Sequence, residues 1–225
     1  MIGERFQRLK AEVDEASGGR TRILLAAKHQ APEAVLEALN AGATLIGHNI
    51  IQQLTASEEA LREMGAPEHE THVIGHVQSN KARPALIDAG TIETVDSLKT
   101  ARRLNTVAGD LGVTCSIYLQ INSSGASSQF GVAPEDTLEL AEQIFALPHL
   151  TLTGLMSIGA NTTDDQTVRA SFATTRKLAE QLRAEGHLGC RELSMGMSGD
   201  WRIAIDEGST IIRVGRQVFG ERDRA

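Results

Sequence analysis

Short apolar runs alternate with amphipathic segments along the whole chain. The first run covers residues 21–27 and ends at Lys28, and seven similar runs follow, at residues 44–47, 71–75, 91–95, 115–122, 150–157, 190–194 and 210–214. Continuous apolar runs of strand length, bounded by turn residues, are typical of strands that are buried on both faces. The pattern therefore predicts eight buried strands.

Helical spacing of apolar residues fills the intervals between these runs. An amphipathic helix is predicted at residues 2–17, before the first strand, and Gly18 ends it. Pro32 and Gly42 bracket the next helix, in the positions where helices commonly begin and end. Strands that alternate with helices in this way pair in parallel through right-handed crossovers.

The repeated alternation predicts an α/β fold made of one domain, residues 1–225. We expect a closed (β/α)8 TIM-type barrel with an extra N-terminal helix. An open doubly wound sheet is disfavoured because it usually has fewer strands, and because no Gly-rich dinucleotide fingerprint follows the first strand.

Charge and cysteine content narrow the function classes. The 225 residues carry a net charge of −7, which argues against a general nucleic-acid binder and against adhesion to acidic lipid. Cys115 and Cys190 lie in apolar strand-like stretches, so two reduced thiols are favoured over a disulfide. Without a signal-peptide core or a membrane-length apolar run, we expect a cytoplasmic monomer with no nucleic-acid or membrane partner.

Polar residues collect at the carboxyl ends of the predicted strands, which share one face of a barrel and carry its active site. Lys28 ends the first strand, where partial desolvation would make its amine nucleophilic. The alternative is a lysine that caps the strand and points to water. The other strand ends carry amides, hydroxyls and an arginine, without a Ser-His-Asp order or paired carboxylates: Asn49, Gln78–Asn80, Asp96, Asn122, Ser157, Ser194–Ser198 and Arg213–Arg216.

The loops after the last two strands have the composition of an anion site. Residues 194–200 and 214–216 carry glycines and Ser198 where helices begin, so they would present backbone N–H groups to a phosphate. Taken separately, each loop also fits an ordinary helix cap. Together with Lys28, they favour pyridoxal 5′-phosphate (PLP) held by a lysine as a Schiff base.

Seven motifs carry a family resemblance over nearly the whole chain. They lie at residues 24–28, 47–49, 72–81, 120–122, 154–156, 193–198 and 212–215, and the segments 72–81 and 193–198 are the most specific. The chain resembles the pyridoxal phosphate homeostasis proteins, whose fold matches the barrel domain of alanine racemase. The resemblance implies PLP binding, with storage or delivery of the cofactor to PLP-dependent apoenzymes.

The resemblance also implies a role for each matching residue. Lys28 matches the Schiff-base lysine, and Asn49 an asparagine beside the cofactor ring. Arg213 matches an arginine that faces the pyridine nitrogen, where its charge disfavours protonation of that nitrogen. Ser198 matches the phosphate cradle, together with backbone groups of three residues: Met197, Gly215 and Arg216.

Several positions depart from the family pattern. His48 and Gln53 replace glutamates, Ile50 replaces a tyrosine, and His76 replaces a proline. The remaining departures are in two loops, where acidic or basic residues are lost: Ala126, Gln129 and Gly199. None is an implied cofactor contact, so the departures bear on partner or surface functions.

Two other function classes and a metal site compete with this interpretation. A racemase generally needs a base on each face of the cofactor, and the one tyrosine, Tyr118, lies within the fifth strand and is expected in the core. A barrel without any cofactor is the other alternative. Among the histidines at 69, 72 and 76, positions 72 and 76 of a strand are about 13 Å apart. That separation is too long for one metal ion, so no metal site is predicted.

Overall fold

Eight parallel strands close into a barrel in which each strand pairs with the next and the last pairs with the first. The computed structural model describes residues 1–220; the predicted domain also included residues 221–225, which lie outside the described residues. The strands are β1 Arg22–Ala26, β2 Leu45–His48, β3 Glu70–Val73, β4 Thr91–Val95, β5 Cys115–Ile121, β6 Leu150–Ser157, β7 Glu192–Ser194 and β8 Ile211–Val214. The predicted strand number, parallel pairing and closure are confirmed.

Helices cover the outside of the barrel between successive strands. They are α1 Ile2–Ser17, α2 Pro32–Asn40, α3 Ile51–Glu63, α4 Ala82–Asp88, α5 Leu98–Leu111, α6 Thr137–Phe145, α7 Asp165–Ala184, α8 Trp201–Asp206 and α9 Arg216–Phe219. Short 3-10 turns precede two of them, at Ser79–Lys81 and Pro134–Asp136. None of the helices in the described part of the chain is long and apolar enough to cross a bilayer.

The predicted N-terminal helix is present as α1. Its apolar stripe, Phe6, Leu9 and Val13, is buried in a cluster that also contains Trp201 and Val218 of the last two helices. The helix ends at a left-handed Gly18, as expected. Helix α1 therefore closes the outer layer beside α8 and α9.

Side chains alternate between the helices and the barrel interior along each strand. Leu25 packs in the outer cluster with helix residues, whereas its neighbour Leu24 packs in a separate cluster with residues of other strands. That inner cluster also contains Tyr118, which is buried as expected from its position in β5. Leu24 pairs in register with Arg213 of β8, so an arginine also lies at an interior level.

Two strands differ from their predicted bounds by two residues at one end, and the other strands match theirs to within one residue. Strand β3 stops at Val73, short of the predicted Gly75, because the chain bends there to pass against Asn49. Strand β7 begins at Glu192, since Cys190 still belongs to the preceding turn and donates its N–H to the His187 carbonyl oxygen. Both differences lie where a strand meets a loop, and there the apolar pattern alone does not show which residues form the hydrogen bonds of the sheet.

Both cysteines are buried and free, as predicted. Burial raises the pKa of the Cys115 thiol to about 12 and that of the Cys190 thiol to about 11. The thiolate, which is the reactive form of cysteine, is therefore scarce at neutral pH.

Candidate functional site

Lys28 lies in the turn that follows β1, at the mouth of the barrel. The turn is closed by a hydrogen bond of 3.0 Å from the Gln30 N–H to the Ala27 carbonyl oxygen. The Ala27 N–H in turn donates to the Gly47 carbonyl oxygen, so the ladder between β1 and β2 reaches the turn itself. The Lys28 side chain is half-buried, and within residues 1–220 its Nζ makes no hydrogen bond or ion pair. Among the described residues, the Lys28 amine therefore has no partner that would compete with a ligand.

The residue after Lys28 is held in an unusual conformation. His29 has φ of 59°, and it is the one non-glycine residue with a positive φ in the described part of the chain. A turn with a positive φ at its third residue usually places glycine there. Gln53 of α3 pins His29 at two points: its Oε1 accepts from the His29 N–H at 3.1 Å, and its Nε2 donates to Nδ1 at 2.7 Å. We call this pair the turn clamp.

Asn49 follows β2, on the strand next to Lys28. Its backbone is approached so closely by Gly75 that a Cβ there would lie 2.1 Å from the Asn49 carbonyl oxygen. The Thr94 hydroxyl donates to the Gly75 carbonyl oxygen at 2.7 Å and holds this contact in place. Only glycine fits at position 75, and Asn49 is positioned from the β3 side.

The loops after β7 and β8 present unpaired backbone donors. Within residues 1–220, the N–H groups of four residues donate to no protein acceptor: Ser198, Gly199, Gly215 and Arg216. The Met197 N–H is already taken, because Asp200 Oδ1 accepts from it at 2.6 Å. Helices α8 and α9 are only six and four residues long, so an anion here would be bound by the unpaired N–H groups more than by a helix dipole.

Arg213 lies inside the barrel below these loops and is only 6% exposed. Its Nη1 donates to the carbonyl oxygen and to the hydroxyl of Ser194, at 2.6 and 2.8 Å, and Nη2 donates to the Ser157 carbonyl oxygen at 2.9 Å. Burial lowers the pKa of Arg213, and the nearby Glu93 and Asp200 oppose that effect. A guanidinium has five N–H groups, so two remain for another acceptor.

A buried carboxylate supports Arg213 from below. The Ser194 hydroxyl donates to Glu93 Oε2 at 2.6 Å, and Nδ1 of His72 donates to Glu93 Oε1 at 2.6 Å. We call His72, Glu93, Ser194 and Arg213 the interior network. Sequence reasoning missed Glu93 and considered His72 only as a metal ligand, although a titratable residue in the middle of an apolar strand was a visible signal.

Similarity to known proteins extends over nearly the whole chain and identifies its family. Residues 8–223 match the family model described as the N-terminal domain of alanine racemase. A pyridoxal phosphate homeostasis protein of Vibrio alginolyticus is 39% identical, over 93% of this chain and 92% of the relative. One from Vibrio cholerae is 37% identical, over 99% and 97%. This chain belongs to the pyridoxal phosphate homeostasis protein family.

Solved structures place this family member in the same fold group. The structure of PipY of Synechococcus elongatus with PLP bound has a TM-score of 0.87 and 33% identity, covering 98% of this chain and 100% of PipY. Alanine racemase of Corynebacterium glutamicum gives 0.77 and 17%, covering all of this chain and 62% of the racemase. At that identity, the racemase shows the shared barrel alone.

The departures from the family pattern lie closer to the mouth than expected. Gln53 forms the turn clamp beside Lys28, so its effect is not confined to the surface. Gln129 links two loops of the mouth, since its Nε2 donates to the Gly159 carbonyl oxygen at 2.8 Å and its Oε1 accepts from Ser124 at 2.7 Å. Amide side chains thus hold the loops of the mouth at both positions.

His48 is buried on the outer side of β2, where neither ring nitrogen has a hydrogen-bond partner within the described residues. Its Nε2 lies 3.9 Å from Glu58 Oε1. Burial lowers the pKa of His48, and the Glu58 carboxylate only partly offsets this. A neutral imidazole therefore occupies this position at neutral pH.

The three histidines considered for a metal have separate partners. His69 contacts Glu58 at 3.2 Å, His72 contacts Glu93, and His76 stacks on Phe130 with ring centroids 6.4 Å apart. They do not form one ligand set.

The interior network opens at its lower end to a cavity of about 520 Å³, which is lined in part by Glu70 and His72. Arg22 holds Glu70 through two hydrogen bonds of 3.1 and 2.8 Å. Nε2 of His72 lies 3.8 Å from Glu70. The His72 imidazole and Arg22 together lower the pKa of Glu70 to about 2, against the opposing effect of burial. Charged groups thus line the barrel axis from this lower end to Arg213.

Proposed function

We propose that this protein binds PLP as a Schiff base on Lys28 and holds it for storage and delivery. In this proposal, Asn49 lies beside the ring, and Arg213 donates to the pyridine nitrogen. The phosphate is bound by the hydroxyl of Ser198 and by backbone groups of the β7 and β8 loops, which include Met197, Gly215 and Arg216.

The observation that carries the proposal is the shared position of three complementary groups at one mouth. Strand β1 leads into the turn that carries Lys28, and it pairs with β8, which carries Arg213 and leads into the loop with unpaired N–H donors. An amine, a guanidinium and a set of anion donors match the aldehyde, ring nitrogen and phosphate of PLP. Relatives named for PLP homeostasis, and PipY with PLP bound, support the same assignment.

The packing of the barrel interior and an unpaired polar atom support a ligand at the mouth. Gly47 faces Leu24 so closely that a Cβ would lie 2.3 Å from its Cδ2, so the barrel is already filled at that level and a ligand rests above it. The Ser157 hydroxyl is buried without a partner among the described residues, next to the carbonyl that accepts from Arg213. A polar ligand would supply what this hydroxyl lacks.

The residues at the mouth favour binding over catalysis. When bound, PLP supplies an electron-withdrawing ring to an attached amine. Arg213 keeps the ring nitrogen unprotonated, which weakens that withdrawal. Tyr118 packs in the barrel interior, where burial raises the pKa of its hydroxyl, so it is a poor candidate for a second base. A racemase-like function has no comparable support.

We further infer that the protein acts as a cytoplasmic monomer and passes PLP to PLP-dependent apoenzymes. The negative charge and the two buried, unreactive thiols support this setting. Size-exclusion chromatography with light scattering tests the monomer. Reactivation of a PLP-dependent apoenzyme, with a second PLP-binding protein present to trap free cofactor, tests direct transfer.

Absorption spectroscopy tests PLP binding directly. Adding PLP to the purified protein should give the visible band of a protein-bound Schiff base, and borohydride reduction should attach the cofactor mass to the peptide that contains Lys28. Lys28→Ala should abolish both signals. Lys81→Ala is the matched control, because Lys81 is also half-buried and follows β3. No band in the wild-type protein would overturn PLP binding, and sustained racemisation of added amino acids would overturn the storage role.

A further inference from the structure

Glu93 is a fully buried carboxylate in the middle of β4. Each of its oxygens accepts one short hydrogen bond, from His72 and from Ser194. Burying a carboxylate is costly unless it is hydrogen-bonded, and here the bonds come from two strands on different sides of the barrel. His72 and Ser194 therefore stabilise the buried carboxylate of Glu93.

The direction of the hydrogen bonds connects Glu93 to Arg213. A serine hydroxyl has one proton, and Ser194 donates it to Glu93. Its oxygen lone pair then accepts from Nη1 of Arg213 at 2.8 Å. If Glu93 did not accept that proton, the hydroxyl would turn its proton to another acceptor, and its lone pairs would turn with it. The carboxylate thus fixes the direction in which the Ser194 lone pairs face Arg213.

We propose that Glu93 is a positioning residue that acts through Ser194 to fix the Arg213 guanidinium under the cofactor ring. This inference rests on the proposed function, since it concerns the subsite for the pyridine nitrogen. With Nη1 held by Ser194 and Nη2 by Ser157, only the remaining N–H groups of Arg213 are directed to a ligand. Loss of the link would leave the guanidinium held only by the carbonyl oxygens of Ser194 and Ser157, so that its remaining N–H groups are less well directed.

Two other charged residues at the lower end of the barrel, Glu70 and Arg22, lie on the His72 side of Glu93 and not on the Ser194 side. His72 has Glu70 on its other side, Glu70 is paired with Arg22, and the Tyr118 ring meets His72 edge-on at 6.0 Å. The two oxygens of Glu93 therefore allow two separate perturbations. Ser194→Ala removes the link from Glu93 to Arg213 and leaves the bond from His72 in place, whereas Glu93→Gln removes the negative charge that both partners face.

The test measures PLP affinity and the visible spectrum of Glu93→Gln, Ser194→Ala and Ser194→Thr. We expect the first two variants to bind PLP about ten- to a hundred-fold more weakly, the range of one hydrogen bond to a charged group. Their visible bands should also acquire a new pH dependence, because a displaced Arg213 no longer opposes protonation of the ring nitrogen. Ser194→Thr keeps the hydroxyl and should restore the wild-type spectrum.

A measurement without cofactor separates positioning from general damage. In the NMR titration of His72, Glu93→Gln should lower the histidine pKa, whereas Ser194→Ala should leave it unchanged. Glu58→Gln is the control, since Glu58 also accepts from a histidine but lies outside the barrel. It should bind PLP with wild-type affinity.

The outcomes distinguish this inference from the proposed function. If wild-type protein gives the Schiff-base band and Ser194→Ala matches it in affinity and spectrum, the positioning role is wrong while PLP binding stands. Equal weakening by Glu58→Gln would also overturn it, since the effect would then be loss of stability. If the wild-type protein gives no band, the proposed function fails, and this inference fails with it.

Discussion

Replacing Gln53 by alanine removes both hydrogen bonds of the turn clamp and leaves His29 to hold its own conformation. His29 is exposed, and Gln53 is half-buried on the outer helix α3, so the substitution leaves the barrel core intact. What changes is the turn that carries Lys28. We expect the free turn to adopt other conformations, in which the Lys28 amine no longer lies at the same point of the mouth.

The magnitude follows from two opposing contributions. A non-glycine residue in the left-handed region costs about 1–2 kcal/mol. Each of the two hydrogen bonds contributes a net ~0.5–1.5 kcal/mol, so together they just offset that strain. Without them the strained turn is no longer the preferred one. If the binding conformation of the turn becomes less favourable than the alternatives by about 1.4 kcal/mol, PLP binding weakens about ten-fold.

The assay is a PLP titration followed by the visible band, for a cycle of variants. Gln53→Ala should weaken binding about ten-fold, and His29→Gly should bind nearly as well as wild type, because glycine adopts positive φ without strain. In the His29→Gly background, Gln53→Ala should then have little further effect, which is the coupling that a double-mutant cycle detects. Gln52→Ala, an exposed neighbour on the same helix, is the control.

Additive effects in that cycle would refute the reasoning. If Gln53→Ala weakens binding by the same factor whether residue 29 is histidine or glycine, the clamp does not act through the strained turn. Wild-type affinity for Gln53→Ala would show that Lys28 is positioned by other contacts.

Four further predictions concern stability. Gly75→Ala should lower the free energy of unfolding by several kcal/mol, because its Cβ would collide with the Asn49 backbone; chemical denaturation that shows wild-type stability would contradict this. Phe172→Ala should lower the free energy of unfolding by about 3–5 kcal/mol in the same assay, because the ring is fully buried. A decrease of less than about 1 kcal/mol would mean that neighbouring side chains fill the cavity. The pKa of His48 is lowered in the folded state, so the unfolded chain takes up a proton more readily than the folded protein. The free energy of unfolding therefore decreases as pH falls below 6.5, the ordinary pKa of histidine. His48→Leu should remove that loss in thermal melts at a series of pH values, and an unchanged pH profile would contradict it. Glu70, with a pKa near 2 against 4.5 ordinarily, stabilises the fold above 4.5 and loses this contribution as pH falls toward 2. Glu70→Gln should therefore flatten the acid side of the profile, and a steeper acid side would show the opposite sign.

The sequence pattern was sufficient to predict the barrel and to predict which residues follow its strands. Apolar runs separated by helices specify strand number and direction, and the ends of parallel strands share one face, so Lys28 and Arg213 could be expected at one mouth. Partners far apart in sequence could not be found in this way. The turn clamp joins residues 24 positions apart, and Glu93 meets Ser194 across 101 positions.

Local hydrogen bonding also changed one prediction in detail. Met197 was expected to offer backbone groups to a phosphate, and its N–H is occupied by Asp200 instead. Sequence spacing shows that an aspartate lies three residues on, but it does not show which way the carboxylate turns. Burial raises the pKa of Asp200, and the Met197 bond opposes this rise. The Met197 role in phosphate binding stays a prediction for its remaining groups.

The pairing of the first strand with the last has a consequence for biosynthesis. Lys28 is synthesised well before Arg213 and Gly215, because six strands lie between β1 and β8 along the chain, and these two strands meet only when the ring closes. A nascent chain that lacks β8 has only one side of the mouth and cannot retain a ligand that needs both. Retention of such a ligand therefore reports that the barrel has closed.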